Sequence, residues 1–447
     1  MSARWTNQAQ SNSMLAGTLL FIPGGMNLAL GLGWNYYTSV PTTEHLQFSW
    51  FIGVIVGAFI AAPLITFVQK RWYMLFSGIL VLAGGIIFTS APDNYDAILA
   101  ARYINGFAIG FAVIPFLVLG SEIGVRSYRG TCLSLEQYGL ALGIMIQIVY
   151  ATQWSSYYDF SANRLHGIIT IVIAVFALGA TYSIIESPIY YLRKGDEGAA
   201  LESLRRLQRP YVVTDATRAQ LEELKLYMQE DRDIYAPRTH MPLLKAILFR
   251  AMVPFTFTLP LNLTIFFAST ISMGYVDSWP PIVYGVLRFL GTFLPLWLMD
   301  GLGRKSVSLF SLLIIGGLTI GIGSIFNDSV NLLSEYKMSV VCTLSLLIQF
   351  FAGLFVPATS AFLGEAFHLS AKPYCMALCV IVEQVIQIII ICTFTFGASS
   401  IFAYCIATGV IMIVFTLLFF VSIPETRSTT LREANNRFTQ TVYISVY

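Results

Sequence analysis

Apolar residues in this chain come in long, nearly unbroken runs. They do not alternate as in a half-buried strand, and they are too continuous for the single stripe of a soluble helix. Six runs lie at about 14–34, 46–68, 72–91, 95–119, 128–151 and 163–185. Six more lie at about 247–273, 279–299, 305–326, 338–363, 373–396 and 400–421. Each is near the ~20 residues a helix needs to cross bilayer hydrocarbon. Pro and Gly inside the runs are compatible with helices packed in a bundle, and a barrel would need short alternating segments. The first run is too long for a cleaved leader and is followed by more spans. The stretch between the two sets is different. Asp196–Arg209 places Ala199, Ala200, Leu201, Leu204 and Leu207 at helical spacing. Thr214 would cap a second helix reaching Gln229, with Leu221, Leu224, Tyr227 and Met228 on one face. The pattern predicts an all-α membrane protein with twelve transmembrane helices in two six-helix halves. These would be 1–185 and 247–423, joined by a small intracellular helical insert, 186–246, and followed by a cytosolic tail, 424–447.

Composition narrows the function. Charged residues are 11 % of the 447, against about a quarter in a soluble domain, and mean hydropathy is +0.71. A soluble enzyme, a nucleic-acid binder and a disordered chain are excluded. Residues 186–250 hold 21 of the charged positions, so the apolar body is interrupted by one charged insert. The six Cys form no C-x-x-C pair and the four His are scattered. No metal, cofactor or catalytic constellation is expected, and the protein is read as a non-enzyme.

Placing the N-terminus in the cytosol puts 22 of the 26 basic residues on the cytosolic side, eleven of them from the insert, Arg250 included. The opposite orientation violates the positive-inside rule. Both termini are therefore expected in the cytosol, with the plasma membrane as the default location and an internal vesicle membrane as the alternative. Trp34, Tyr36, Tyr37, Trp50, Trp154, Tyr157, Tyr158 and Trp279 fall near the far ends of spans and are expected mostly as interface anchors. Asn327-Asp328-Ser329 is a sequon on that side.

Three landmarks recur in both halves. Lys70-Arg71 and Arg304-Lys305 follow the second span of each half. Glu122 precedes Arg129 by seven residues, as Glu365 precedes Lys372. Glu186-Ser187-Pro188 and Pro424-Glu425-Thr426 follow the sixth spans. The offsets are 234, 243 and 239, which indicates a duplicated six-helix unit. Acid–base pairs at helix ends on the membrane surface are breakable, which suits a gate. Arg71, Glu122, Arg129, Glu186, Arg304, Lys305, Glu365, Lys372 and Glu425 are expected to form an inner latch, closed when the outer side is open.

The motifs resemble the sugar porter family of the major facilitator superfamily. Asp300-Gly301-Leu302-Gly303-Arg304-Lys305 is similar to its D-x-x-G-R-R/K signature. Arg102, Gly106 and Gly110 are similar to its span 4 pattern, and Glu122 with Arg129-Gly130 to its E…RG signature. Glu186-Ser187-Pro188-Ile189-Tyr190-Tyr191-Leu192 and Pro424-Glu425-Thr426-Arg427 resemble its PESPR and PETKG motifs. The resemblance implies alternating access by two rocking bundles about a central site, with Asp300 joining the latch. It also implies solute contacts at Gln137 and Asn262, whose amides offer donor and acceptor together.

Departures from the family pattern shift the expectations. Thr66 and Gln69 stand where Asp and Gly are usual, Thr256-Phe257 where a Gln pair is usual, and Ser360 at a Trp position. Gly24 stands where proton-coupled members carry Asp, which argues for facilitative transport. Arg288 and Glu383 occupy cavity-facing positions at membrane depth, where charge is costly. They are expected to face each other, with Gln384 beside them, and to bind a charged solute or form a structural pair. Glu136 is a candidate proton site. The expected partners are a hexose, polyol or similar small solute and the lipid bilayer, and no nucleic acid, with a single chain sufficient. Two other readings stay open: transport of a charged or zwitterionic organic solute, and a non-transporting solute sensor.

Overall fold

A computed structural model describes residues 8–35, 40–154, 160–209, 211–233, 239–274 and 279–443. The first half contains α1 (Gln8–Gly31), α2 (Glu44–Leu64), α3 (Lys70–Ser90), α4 (Tyr95–Ile123), α5 (Arg129–Gln153) and α6 (Ala162–Ala180). The insert folds as α7 (Pro188–Arg193), α8 (Glu197–Leu207) and α9 (Asp215–Asp233). The second half contains α10 (His240–Arg250) and α11 (Leu259–Met273), then α12 (Trp279–Phe293) with α13 (Pro295–Leu298), α14 (Arg304–Phe326), α15 (Glu335–Glu365), α16 (Lys372–Thr393) and α17 (Ala398–Ser422). A tail helix, α18 (Leu431–Thr439), closes the chain. Among the described residues twelve helical segments are long and apolar enough to cross a membrane, α10 with α11 counting as one and α12 with α13 as another.

The duplication is visible in the packing. α2 crosses α4 at Gly53, Gly57, Gly106 and Gly110, where any Cβ would strike the facing backbone. The corresponding helices of the second half, α12 and α15, cross at Gly291 and Gly353 in the same way. Small residues let helix backbones approach, which is the main attraction between helices in lipid. The halves meet where α16 packs along α2, and where α12 and α15 pack along α5.

The insert is docked by small apolar clusters. Leu192, Ala200, Leu204 and Leu221 form one, and Ile189, Tyr227, Leu369 and Leu431 form another that ties insert, loop and tail together. The tail helix was not expected from its polar sequence. Thr430 and Glu433 make a capping box, and Asn435 donates to Ala366 O at 2.8 Å. The seventh span starts at His240 rather than near 247. Of the expected anchors, Trp279 is exposed, whereas Trp34 and Trp50 are buried, Trp50 donating to Asn105 Oδ1 at 2.8 Å. Tyr36, Tyr37, Tyr157 and Tyr158 lie outside the described residues.

Candidate functional site

At the end of the bundle that carries the insert, each half builds an ion network from the same three places. Lys70 opens α3, and its Nζ lies 3.0 Å from Glu186 Oε1 and 3.6 Å from Glu122 Oε2. Glu186 also accepts from the Lys70 backbone N–H at 2.6 Å, so its charge sits at the positive end of α3. Arg304 opens α14. It contacts Glu365, and its Nη2 lies 3.2 Å from Asp300 Oδ1. Glu425 accepts from the Arg304 and Lys305 backbone N–H groups at 3.2 and 3.0 Å. The three recurring sequence landmarks are therefore one recurring set of contacts.

Further contacts at this end join the halves. Arg129 Nη1 is 3.1 Å from Glu365 Oε1. Asp300 Oδ2 accepts from the Thr131 backbone N–H and hydroxyl at 3.0 and 2.8 Å. Lys372 Nζ donates to Ser121 Oγ at 3.2 Å. Arg129, Arg304, Glu365 and Lys372 are all buried, and removing Glu365 would leave Arg129 without a carboxylate. One expected member is corrected: Lys70 makes the contacts assigned to Arg71. The first residue of α3 points inward, while the Arg71 guanidinium lies over the Tyr182 ring at 5.2 Å.

A second ionic group lies inside the bundle, at a break in the seventh span. α10 stops at Arg250, and a turn and the 3₁₀ segment Pro254–Thr256 precede α11. Side chains take the freed carbonyls. Gln387 Nε2 donates to Pro254 O and Phe257 O at 3.3 and 2.9 Å, and Gln349 Nε2 to Thr256 O at 2.9 Å. This satisfies the irregular backbone within the bundle. Arg250 then reaches three helices. It donates to Glu383 Oε2 at 2.5 Å, to Thr359 Oγ1 and Ser360 Oγ at 2.9 and 3.0 Å, and to Glu136 Oε1 at 2.8 Å. Glu136 also accepts from Gln137 Nε2 at 2.9 Å and from the Ser360 hydroxyl. A carboxylate of the first half is thus held by two groups of the second.

This arrangement corrects several expectations. Arg288 and Glu383 do not pair, because Arg250 takes Glu383. Arg288 instead donates to Gln349 Oε1 at 3.0 Å and lies over the Phe257 ring at 5.0 Å. By sequence Arg250 counts with the loop cations of the insert, since it sits at the start of an apolar run. The signal for it was a basic residue followed closely by Pro254 within one apolar stretch. Asn262 is spent on structure: it donates to Leu32 O at 2.8 Å and accepts from Tyr284 at 2.9 Å. Asn262 therefore also joins the halves toward the opposite end, where an opening had been expected. Gln137 and Ser360 meet at Glu136, and Gln384 is buried with its Oε1 unpartnered.

Residues 26–438 match the family model described as "Sugar (and other) transporter". The chain belongs to this family. Its relatives include the glucose transporter GlcP of Staphylococcus epidermidis, 25 % identical over 94 % of this chain and 92 % of that protein. Another is the galactose-proton symporter of Escherichia coli K12, 23 % identical over 87 % and 84 %. The proton:xylose symporter XylE bound to 6-bromo-6-deoxy-D-glucose superposes with a TM-score of 0.78 at 17 % identity, over 96 % of this chain and 98 % of that one. The inward-open form of XylE from E. coli superposes with a TM-score of 0.62. The fold is that of the major facilitator superfamily, as the motifs implied, and the protein is a multi-pass membrane transporter rather than an enzyme.

Proposed function

We propose that the protein moves a sugar or a related small polar solute across a membrane by alternating access, as a facilitative carrier. The observation that carries this reading is the form of the join between the halves. The halves pack along α16–α2 and along α12 and α15 against α5, and at the insert-bearing end and in the centre Arg129–Glu365 and Arg250–Glu136 link them through polar contacts that can part and re-form. The named substrates of the relatives, glucose and galactose, support a hexose-like solute. Facilitative action is favoured because α1 contains no acidic residue and Glu136 is committed to Arg250 and Ser360. The weight of basic residues at the end bearing the insert favours cytosolic termini, and we place the carrier in the plasma membrane, working as a single chain.

Counterflow in proteoliposomes tests this. Labelled glucose, galactose, fructose and a polyol are supplied with and without a pH gradient, with Gln137→Ala alongside. The expected result is uptake of at least one neutral solute, indifferent to the gradient and reduced in Gln137→Ala. Accumulation driven by the pH gradient would overturn the facilitative mode. No uptake of any neutral solute would overturn the sugar reading.

A further inference from the structure

Arg288 is a buried guanidinium without an acid. Its residue is 6 % exposed, and no carboxylate lies within 4 Å of it among the described residues. Buried charges are normally paired, because desolvation penalises an isolated one. The other arginines of the bundle interior show how such a group is usually settled. Arg250 has two carboxylates and two hydroxyls. Arg102, which also lacks an acid, spends its N–H groups on Leu46 O, Asn27 O, Gln47 O and Ser49 Oγ. Among the described residues Arg288 has one side-chain hydrogen bond, to Gln349 Oε1, from a group with five N–H donors. Its free nitrogens are also not sealed. Arg129 and Arg304 each bury an unpartnered Nε, whereas no Arg288 nitrogen is both sealed and unpartnered.

The surroundings hold Arg288 in place without neutralising it. The Phe257 ring supports one face at 5.0 Å. Gln349 fixes one edge and is itself anchored on Thr256 O. Both partners belong to, or bind, the broken segment between α10 and α11. On the same segment Gln387 holds Pro254 O and Phe257 O. The guanidinium is therefore pre-positioned beside irregular backbone in the interior of the second half, with donors to spare. Glu383, the other charge expected to serve a solute, already has Arg250 as counter-charge.

We propose that Arg288 receives an anionic group, a carboxylate on an otherwise hydroxylated solute, so that the transporter accepts acidic sugars as well as or in preference to neutral ones. A planar guanidinium suits a carboxylate because two parallel N–H donors can engage both oxygens. The inference rests on the reading that the protein moves small polar solutes, and it names the class of solute that Arg288 would select.

The experiment is counterflow of labelled glucose, glucuronate and glucosamine in proteoliposomes of wild type, Arg288→Gln and Arg288→Lys. Wild type should carry glucuronate. Arg288→Gln should lower the ratio of glucuronate to glucose flux at least tenfold, and Arg288→Lys should recover part of that ratio. Stabilisation of detergent-solubilised wild type by glucuronate but not glucosamine is a second readout, needed if the variants do not fold. Glucose carried without glucuronate, glucosamine preferred over glucuronate, or equal loss of all solutes in Arg288→Gln would each overturn the proposal while leaving the sugar reading intact. No carriage of any of the three would overturn the proposal, and the sugar reading would fall with it only if galactose, fructose and the polyol were not carried either.

Discussion

The ion network at the insert-bearing end and the ion cluster in the centre both cross between the halves, but they are built differently. At the end, Glu365 has two arginines, Arg129 and Arg304, and Arg304 has Asp300 as well. In the centre, two carboxylates, Glu136 and Glu383, depend on one arginine. Around Glu365 the end is redundant, and the centre is not. A redundant network can lose a member and keep its neighbours compensated. In the centre, loss of Arg250 would leave two buried carboxylates facing each other.

That contrast is broken most severely by Arg250→Ala. Stranding a buried charge costs about 3–5 kcal/mol, and here the effect should fall at the upper end because two acids are stranded. Thermal unfolding in detergent should show a large fall in Tm, which Glu136→Gln/Glu383→Gln in the same chain should partly restore. Arg304→Ala should cost less, about 3 kcal/mol, since Arg129 still answers Glu365. An equal or larger loss in Arg304→Ala would remove the asymmetry between the two sites.

Smaller effects sharpen the boundary of each network. Thr430→Ala removes the capping box of α18 and should cost about 1 kcal/mol. Limited proteolysis should then cut the tail sooner with the twelve spans intact. Arg126→Ala breaks the pair with Glu223 at 2.7 Å, whose side chains are 53 % and 39 % exposed. An exposed pair of this kind is worth about 0–1 kcal/mol, and the small difference should vanish in high salt. Persistence of a larger effect would show that insert docking depends on the pair rather than on Leu192, Ala200, Leu204 and Leu221.

The two regions also differ in how far they could be read from sequence. The end network was legible because its landmarks occur twice, and duplication turned Glu122/Glu365 and Glu186/Glu425 into mutually supporting evidence. The choice between Lys70 and Arg71 went astray, since it depends on which residue opens α3, and Lys305 joins through its backbone N–H alone, its Nζ lying over the Phe420 ring at 5.6 Å. The centre has no such repetition. Arg250 and Glu136 come together because the seventh span breaks at Pro254, a tertiary event supported by Gln387 and Gln349. Pairing Arg288 with Glu383 matched charge to charge at membrane depth, but Arg250 lies nearer to Glu383. Asn262 has an amide suited to a solute, yet its contacts are with Leu32 and Tyr284.

The central claim is that the join at the insert-bearing end parts when solute crosses. Ser127 and Leu302 are exposed on opposite sides of that join. Both can be changed to Cys and spin-labelled in a Cys392→Ser background, Cys392 being an exposed free thiol. Distances between the labels would then be measured in lipid with and without saturating transported solute. The account predicts a single short distance without solute and a second, longer population with it. One unchanged distance under both conditions, in protein that carries the solute, would contradict it.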